Sequence, residues 1–62
     1  MSFEQVVSEV LLVGDLIVLD IETVLTENLS DESKKALTNA AILVKHLIAY
    51  AKAAQEAADE NA

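Results

Sequence analysis

The hydrophobic residues in the first half of the chain recur with the period of an α-helix. From Phe3 to Leu29 they return every three or four positions, which places them on one side of a helix. The expected central stripe is Phe3, Val6, Val10, Val13, Ile17, Ile21 and Val24, widened on one side by Val7, Leu11, Val18, Leu25 and Leu29. The β-branched residues within Leu16–Leu19 also suit a strand, but the helical period continues over about twenty residues and favours a helix.

A polar segment then interrupts the pattern and introduces a second helix. Asn28 can end the first helix, and Ser30 suits the N-cap of the next, with Asp31 and Glu32 near the positive end of its dipole. The second apolar face consists of Leu37, Ala40, Ala41, Val44, Leu47, Ile48, Ala51, Ala54 and Ala58. We predict helices over about 2–28 and about 31–59, joined by a turn at about 29–31.

A turn this short returns the second helix antiparallel to the first. We therefore expect residues 1–62 to form a single all-α domain, an antiparallel helical hairpin in which Ile17 faces Val44 and Val13 faces Ile48. Gly14 lies in the middle of the first helix, where glycine costs roughly 1 kcal/mol relative to alanine. Two interpretations stay open: a tolerant position, or the close approach of another helix, including that of a second copy.

The hairpin leaves apolar residues outside its packed face. Leu12, Leu16 and Leu19 form a row on the far side of the first helix, and Ile42, Leu43 and Tyr50 lie away from the centre of the second. A contiguous exposed apolar patch indicates an interface, and burying each leucine is worth about 1.5–3 kcal/mol. We expect a second copy to complete a homodimeric four-helix bundle. The favoured arrangement covers at least Leu16 with the second subunit and leaves Leu12 and Leu19 at the rim, available to a partner. The alternative gives the whole leucine row to a different protein.

The size of the chain supports this expectation. The core of a 62-residue chain rarely supplies more than about 3–5 kcal/mol of folding stability without a disulfide, a bound metal or a partner chain. The chain has no cysteine for a disulfide or a thiolate metal site, and a single histidine, His46, makes no metal site alone. Self-association is therefore the expected source of additional stability.

Charge and hydropathy limit the classes of binding partner and the cellular location that we expect. Eleven acidic residues against four basic ones, all lysines of the second helix, give a net charge of -7, which disfavours direct binding of nucleic acid or anionic lipid. The N-terminus lacks a basic leader, and the stretch Val10–Leu19 is shorter than the ~20 apolar residues that span a bilayer. We expect a cytoplasmic protein without membrane association.

Few residues are candidates for catalysis, ion pairing or ligand binding. Asp20 lies between Leu16 and Val24 at the edge of the apolar stripe, so we expect it to pair with a lysine of the second helix or of a partner. Asp15 is expected to face solvent, and His46 is expected to be exposed or to lie at an interface. The chain has no Ser-His-Asp spacing, glycine-rich loop or paired carboxylate motif, and we expect no catalytic residue, cofactor or metal.

These patterns favour a non-enzymatic, self-associating protein that binds another protein as a regulator, inhibitor or chaperone. The candidate protein-interaction residues are Leu12, Leu16, Leu19, Asp20, Ile42, Leu43 and Tyr50. One alternative is a purely structural self-assembly module. A third, less favoured hypothesis is an acidic DNA mimic, with one carboxylate stripe at Glu4, Asp15 and Glu22 and another at Glu9, Asp20 and Glu27.

Overall fold

The computed structural model describes residues 2–60, which form two helices, α1 (Phe3–Val24) and α2 (Asp31–Glu60). The helices pack against each other in a rod measuring 48 × 16 × 15 Å. Gly14 lies beside Ile48, whereas Glu22 lies beside Lys45, so residue numbers rise along α1 as they fall along α2. The predicted all-α antiparallel hairpin is confirmed. Leu16–Leu19 is helical, and residues 2–60 contain no strand.

A capping box fixes the start of α1. The Ser2 hydroxyl accepts a hydrogen bond from the Gln5 backbone N–H at 3.1 Å, and the Gln5 side-chain oxygen accepts one from the Ser2 N–H at 2.8 Å. Two N–H groups that would lack partners at a helix start are thereby satisfied. The Ser-x-x-Gln spacing is visible in the sequence, but our prediction did not use it.

Helix α1 ends at Val24, earlier than the predicted end at about residue 28. The Thr26 hydroxyl donates to the Thr23 carbonyl at 2.7 Å, and the Thr26 and Glu27 N–H groups bond three residues back, to Thr23 and Val24. Threonine hydroxyls compete in this way for helix carbonyls and tighten the last turn. Asn28 does not form a left-handed cap, because no non-glycine residue within 2–60 has a positive φ.

Ser30 caps α2 as predicted. Its hydroxyl accepts from the Ser33 N–H at 3.2 Å and donates to the Ser33 hydroxyl at 2.9 Å, while its carbonyl accepts from the Lys34 N–H. Asp31 and Glu32 occupy the first turn, where carboxylates interact favourably with the helix dipole. The hydrogen bonds of Ser30 therefore fix the point where the connecting segment of residues 25–30 ends and α2 begins.

The face of α1 that packs on α2 differs from the predicted one. The inward row of α1 is Val7, Leu11, Gly14, Val18 and Ile21, continued by Leu25 just beyond its end, and the inward row of α2 is Leu37, Ala41, Val44, Ile48 and Ala51. Both rows alternate spacings of four and three, the heptad pattern of helices packed side by side. The expected central residues Val13 and Ile17 are instead exposed at the edge of the contact. Val10 and Ile21 of the predicted central stripe are half-buried, and the residues predicted to widen that stripe, Val7, Leu11, Val18 and Leu25, lie in the contact. The predicted centre of the face was therefore wrong by a rotation of roughly 60° about the helix axis.

Gly14 is buried where α1 packs against Ile48 of α2. A Cβ atom at this position would stand 2.7 Å from Ile48 Cγ1, 3.0 Å from Ile48 Cδ1 and 3.7 Å from Val44 Cγ1. The first of these distances is shorter than carbon atoms tolerate, so the missing side chain makes room for Ile48. Of the two interpretations of Gly14, the structure supports close approach, and the approaching helix belongs to the same hairpin.

Candidate protein-interaction site

The hairpin has a thin core. Among residues 2–60, the buried hydrophobic side chains are Val7, Ala41 and Ile48, and none of them is completely enclosed. Two helices can cover only one face of each other, and α1 is apolar over most of its circumference. Most of the large apolar side chains of this protein therefore still contact solvent.

One exposed apolar surface follows the line where the two helices meet, and we call it the apolar flank. Its exposed members are Val6, Val13, Ile17 and Val24 of α1 and Leu43 and Leu47 of α2. Val13, Ile17 and Leu47 line a shallow groove whose floor includes Gly14 and Val44. Val6 and Val24 extend the surface by one heptad in each direction along α1, and Leu43 extends it by one turn of α2.

A second apolar surface lies on the side of α1 that faces away from α2. It consists of Leu12, Leu16 and Leu19, all exposed, and we call it the leucine ridge. Its centre is separated from that of the apolar flank by about 110° around α1, with Asp20 between the two. The hairpin therefore presents two distinct apolar surfaces.

The remaining sequence-predicted interaction residues do not join the ridge. Leu43 belongs to the apolar flank, and Tyr50, one heptad later, lies on the same outer edge of α2. Ile42 is exposed on the back of α2, one turn from His46, which is also exposed. The seven candidates are all exposed, but they are distributed over three sides of the hairpin.

Asp20 does not pair with α2 as expected within the hairpin. Its side chain is exposed, and the ion pair found between the helices in residues 2–60 joins Lys45 Nζ to Glu22 Oε1 at 3.8 Å. Both of those side chains are more than half exposed, and surface pairs contribute about 0–1 kcal/mol. A partner chain as the source of a lysine for Asp20 stays a prediction.

The Lys45–Glu22 pair marks a charged edge opposite the apolar flank. One heptad along, Asp15 of α1 and Lys52 of α2 occupy the equivalent positions on this edge. The two edges of the helix contact thus differ: one carries carboxylates and lysines, and the other is apolar. The flank was not predicted from the sequence, although the spacing of Lys45 and Lys52 indicates which edge of α2 is polar.

Within residues 2–60 no three His, Cys, Asp or Glu side chains gather where they could hold a metal ion. Neither described helix combines the length and apolar character needed to cross a membrane.

No protein-family model, curated protein or solved structure matches this chain. The two exposed apolar surfaces are the features of the molecule that most need an explanation.

Proposed function

We propose that this chain is a non-enzymatic protein that self-associates and binds another protein as a regulator, inhibitor or chaperone. The observation that carries the proposal is the presence of two separate exposed apolar surfaces on a hairpin with a thin core. Contiguous apolar patches on a small monomer are typical of interaction sites. The proposed cellular location is the cytoplasm.

Two surfaces favour a partner in addition to a second copy. The apolar flank and the leucine ridge point in directions that one two-fold contact between hairpins does not cover together. A purely structural dimer that uses one of these surfaces leaves the other uncovered once the four-helix bundle has formed. A protein that also binds a different chain uses one surface for each contact.

The DNA-mimic alternative receives less support. Mimicry requires a regular array of unpaired negative charges, but Glu22 lies beside Lys45, and Glu27 falls beyond the end of α1. The stripe containing Glu9 and Asp20 also borders apolar residues on both sides. We therefore keep the mimic as an outcome of the partner experiment.

Self-association predicts that the stability of the fold depends on protein concentration. If folding and dimerisation are linked, a tenfold dilution lowers the apparent free energy of unfolding of the dimer by about 1.4 kcal/mol, and the melting temperature falls with it. Thermal circular dichroism over a hundredfold concentration range, with sedimentation equilibrium on the same samples, measures both effects. A folded monomer at micromolar concentration, with a melting temperature independent of dilution, would refute self-association.

Partner binding predicts capture of a specific protein through apolar contacts. Wild-type protein used as bait in a lysate of its source cell is expected to retain a partner when the salt concentration is raised, because apolar contacts are not screened. The matched bait is Leu16→Glu, which is expected to lose that partner. Salt-sensitive capture of a basic, nucleic-acid-binding protein by both baits would instead indicate the DNA mimic.

A further inference from the structure

We propose that the apolar flank is the homodimer interface, packed against the same flank of a second copy, with α1 of each hairpin lying over α2 of the other. The inference rests on the proposed self-association and names the surface and arrangement that produce it. It leaves the leucine ridge outside the bundle.

The surface area of the hairpin matches the need for such a contact. The chain exposes 4829 Å². A compact monomer of 6.7 kDa exposes only about 3,900 Å² by the usual scaling of area with mass. The excess, about 900 Å², is close to the ~800 Å² that each partner buries in a stable protein–protein interface. One additional hairpin, placed on one surface, is therefore enough to cover the excess.

The flank has the shape and composition of an interface. From Val6 to Val24 it follows α1 for about 27 Å, so two rods of this form can pack along their length. Its centre is the groove between Val13, Ile17 and Leu47, which a side chain of a second copy can fill. Glu9 lines the groove on the outer side of α1, and Glu9 and Asp20 are both exposed along this margin of the flank. A dry centre with a polar rim is typical of protein interfaces.

Charge selects the arrangement of the two copies. Helix α1 carries five carboxylates and no basic residue, whereas α2 carries four lysines together with its five carboxylates. Packing α1 against α1 of the other copy brings the two most acidic elements together. Packing α1 over α2 of the other copy avoids that repulsion, and a two-fold axis parallel to the helices produces this arrangement on both sides.

This arrangement changes the assignment that the sequence favoured. The second subunit covers Val13 and Leu47 in place of Leu16, and all three ridge leucines remain available to a different protein. The ridge is separated from the flank by about 110° around α1, so the bundle and a ridge-bound partner can exist together.

A pair of charge substitutions tests the surface. Val13 and Leu16 are equally exposed in the single hairpin, at 50% and 53%, so a glutamate is equally tolerated there at either position. In the dimer, Val13→Glu places a charge in a dry interface and is expected to raise the dimer dissociation constant at least 100-fold. Leu16→Glu is expected to change it less than about threefold. Sedimentation equilibrium measures both, and a Val13→Glu dimer of unchanged affinity, or equal weakening by both variants, would overturn the proposal.

Cross-linking tests the arrangement without placing a charge in the fold. Because the natural chain has no cysteine, single-cysteine variants report one contact each. A mixture of Val13→Cys chains with tagged Leu47→Cys chains is expected to form the mixed disulfide on mild oxidation, whereas Leu16→Cys chains mixed with Leu47→Cys chains are not. Predominant Val13→Cys homodimers would show α1 against α1 and overturn the proposed pairing. A wild-type protein that is monomeric throughout would instead refute the underlying self-association.

Discussion

Ile48→Ala is expected to leave most of the protein molecules unfolded at room temperature. Ile48 is 9% exposed and packs directly against the backbone of Gly14 near the middle of the helix pair. Removing its outer carbons leaves a cavity that the surrounding helices fill only in part, which costs about 2–5 kcal/mol. That loss equals most of the ~3–5 kcal/mol that a core of this size supplies. Urea titration followed by far-ultraviolet circular dichroism measures the change in the free energy of unfolding.

Ile42→Ala is the matched control for this experiment. It removes the same atoms from the same helix, but Ile42 is 46% exposed and lies on the back of α2, away from α1. We expect its free energy of unfolding to remain within about 0.5 kcal/mol of the wild type. Equal losses at both positions would mean that α2 packs against α1 through a different face.

The two helices and their antiparallel order follow from local features of the sequence. Apolar residues at spacings of three and four persist through both segments, and Ser30 with its acidic neighbours starts the second helix where the pattern resumes. The end of α1 was less predictable. Thr23 and Thr26 are ordinary residues in a helical pattern, and their effect depends on hydroxyl hydrogen bonds that form only once the last turn tightens.

The rotation of α1 could not be read from hydrophobicity alone. Two overlapping apolar rows, one through Val13 and Ile17 and one through Leu11 and Val18, satisfy the helical period equally well. The second row has a gap at its centre, Gly14, and a count of apolar side chains treats that gap as a defect. In the structure Ile48 of α2 fills this gap, in the space that a side chain at position 14 would occupy. Packing between the helices, and not the hydrophobic period of either one, determines which row of α1 contacts α2.

The same rotation explains why the candidate site was only partly foreseen. The leucine ridge was expected outside the hairpin, and its three leucines are exposed. With Val13 and Ile17 assigned to the intramolecular contact, however, the apolar flank could not be recognised as a free surface. An error of roughly 60° about one helix axis thus conceals an interface while leaving the fold prediction intact.

Gly14→Val is expected to destabilise the hairpin by about 3 kcal/mol. The new Cβ would stand 2.7 Å from Ile48 Cγ1, and the two methyl groups of valine require still more space on the same side. Either Ile48 must leave its position or the helices must separate, and overpacking of this kind typically costs 1–3 kcal/mol or more. Gly14→Ala is expected to lose less, about 1 kcal/mol, because its better helix propensity offsets part of the clash. Urea titration of both variants at one protein concentration gives the two values.

The adjacent residue supplies the control that separates packing from helix propensity. Asp15 is exposed on the same turn of α1, so Asp15→Gly and Asp15→Ala compare glycine with alanine where no neighbour interferes. There alanine is expected to be more stable than glycine by about 1 kcal/mol. At position 14 we expect the order to reverse, since the space beside Gly14 is already occupied by Ile48. If alanine stabilises both positions equally, the helices do not approach at Gly14 and the packed face of α1 must be assigned again.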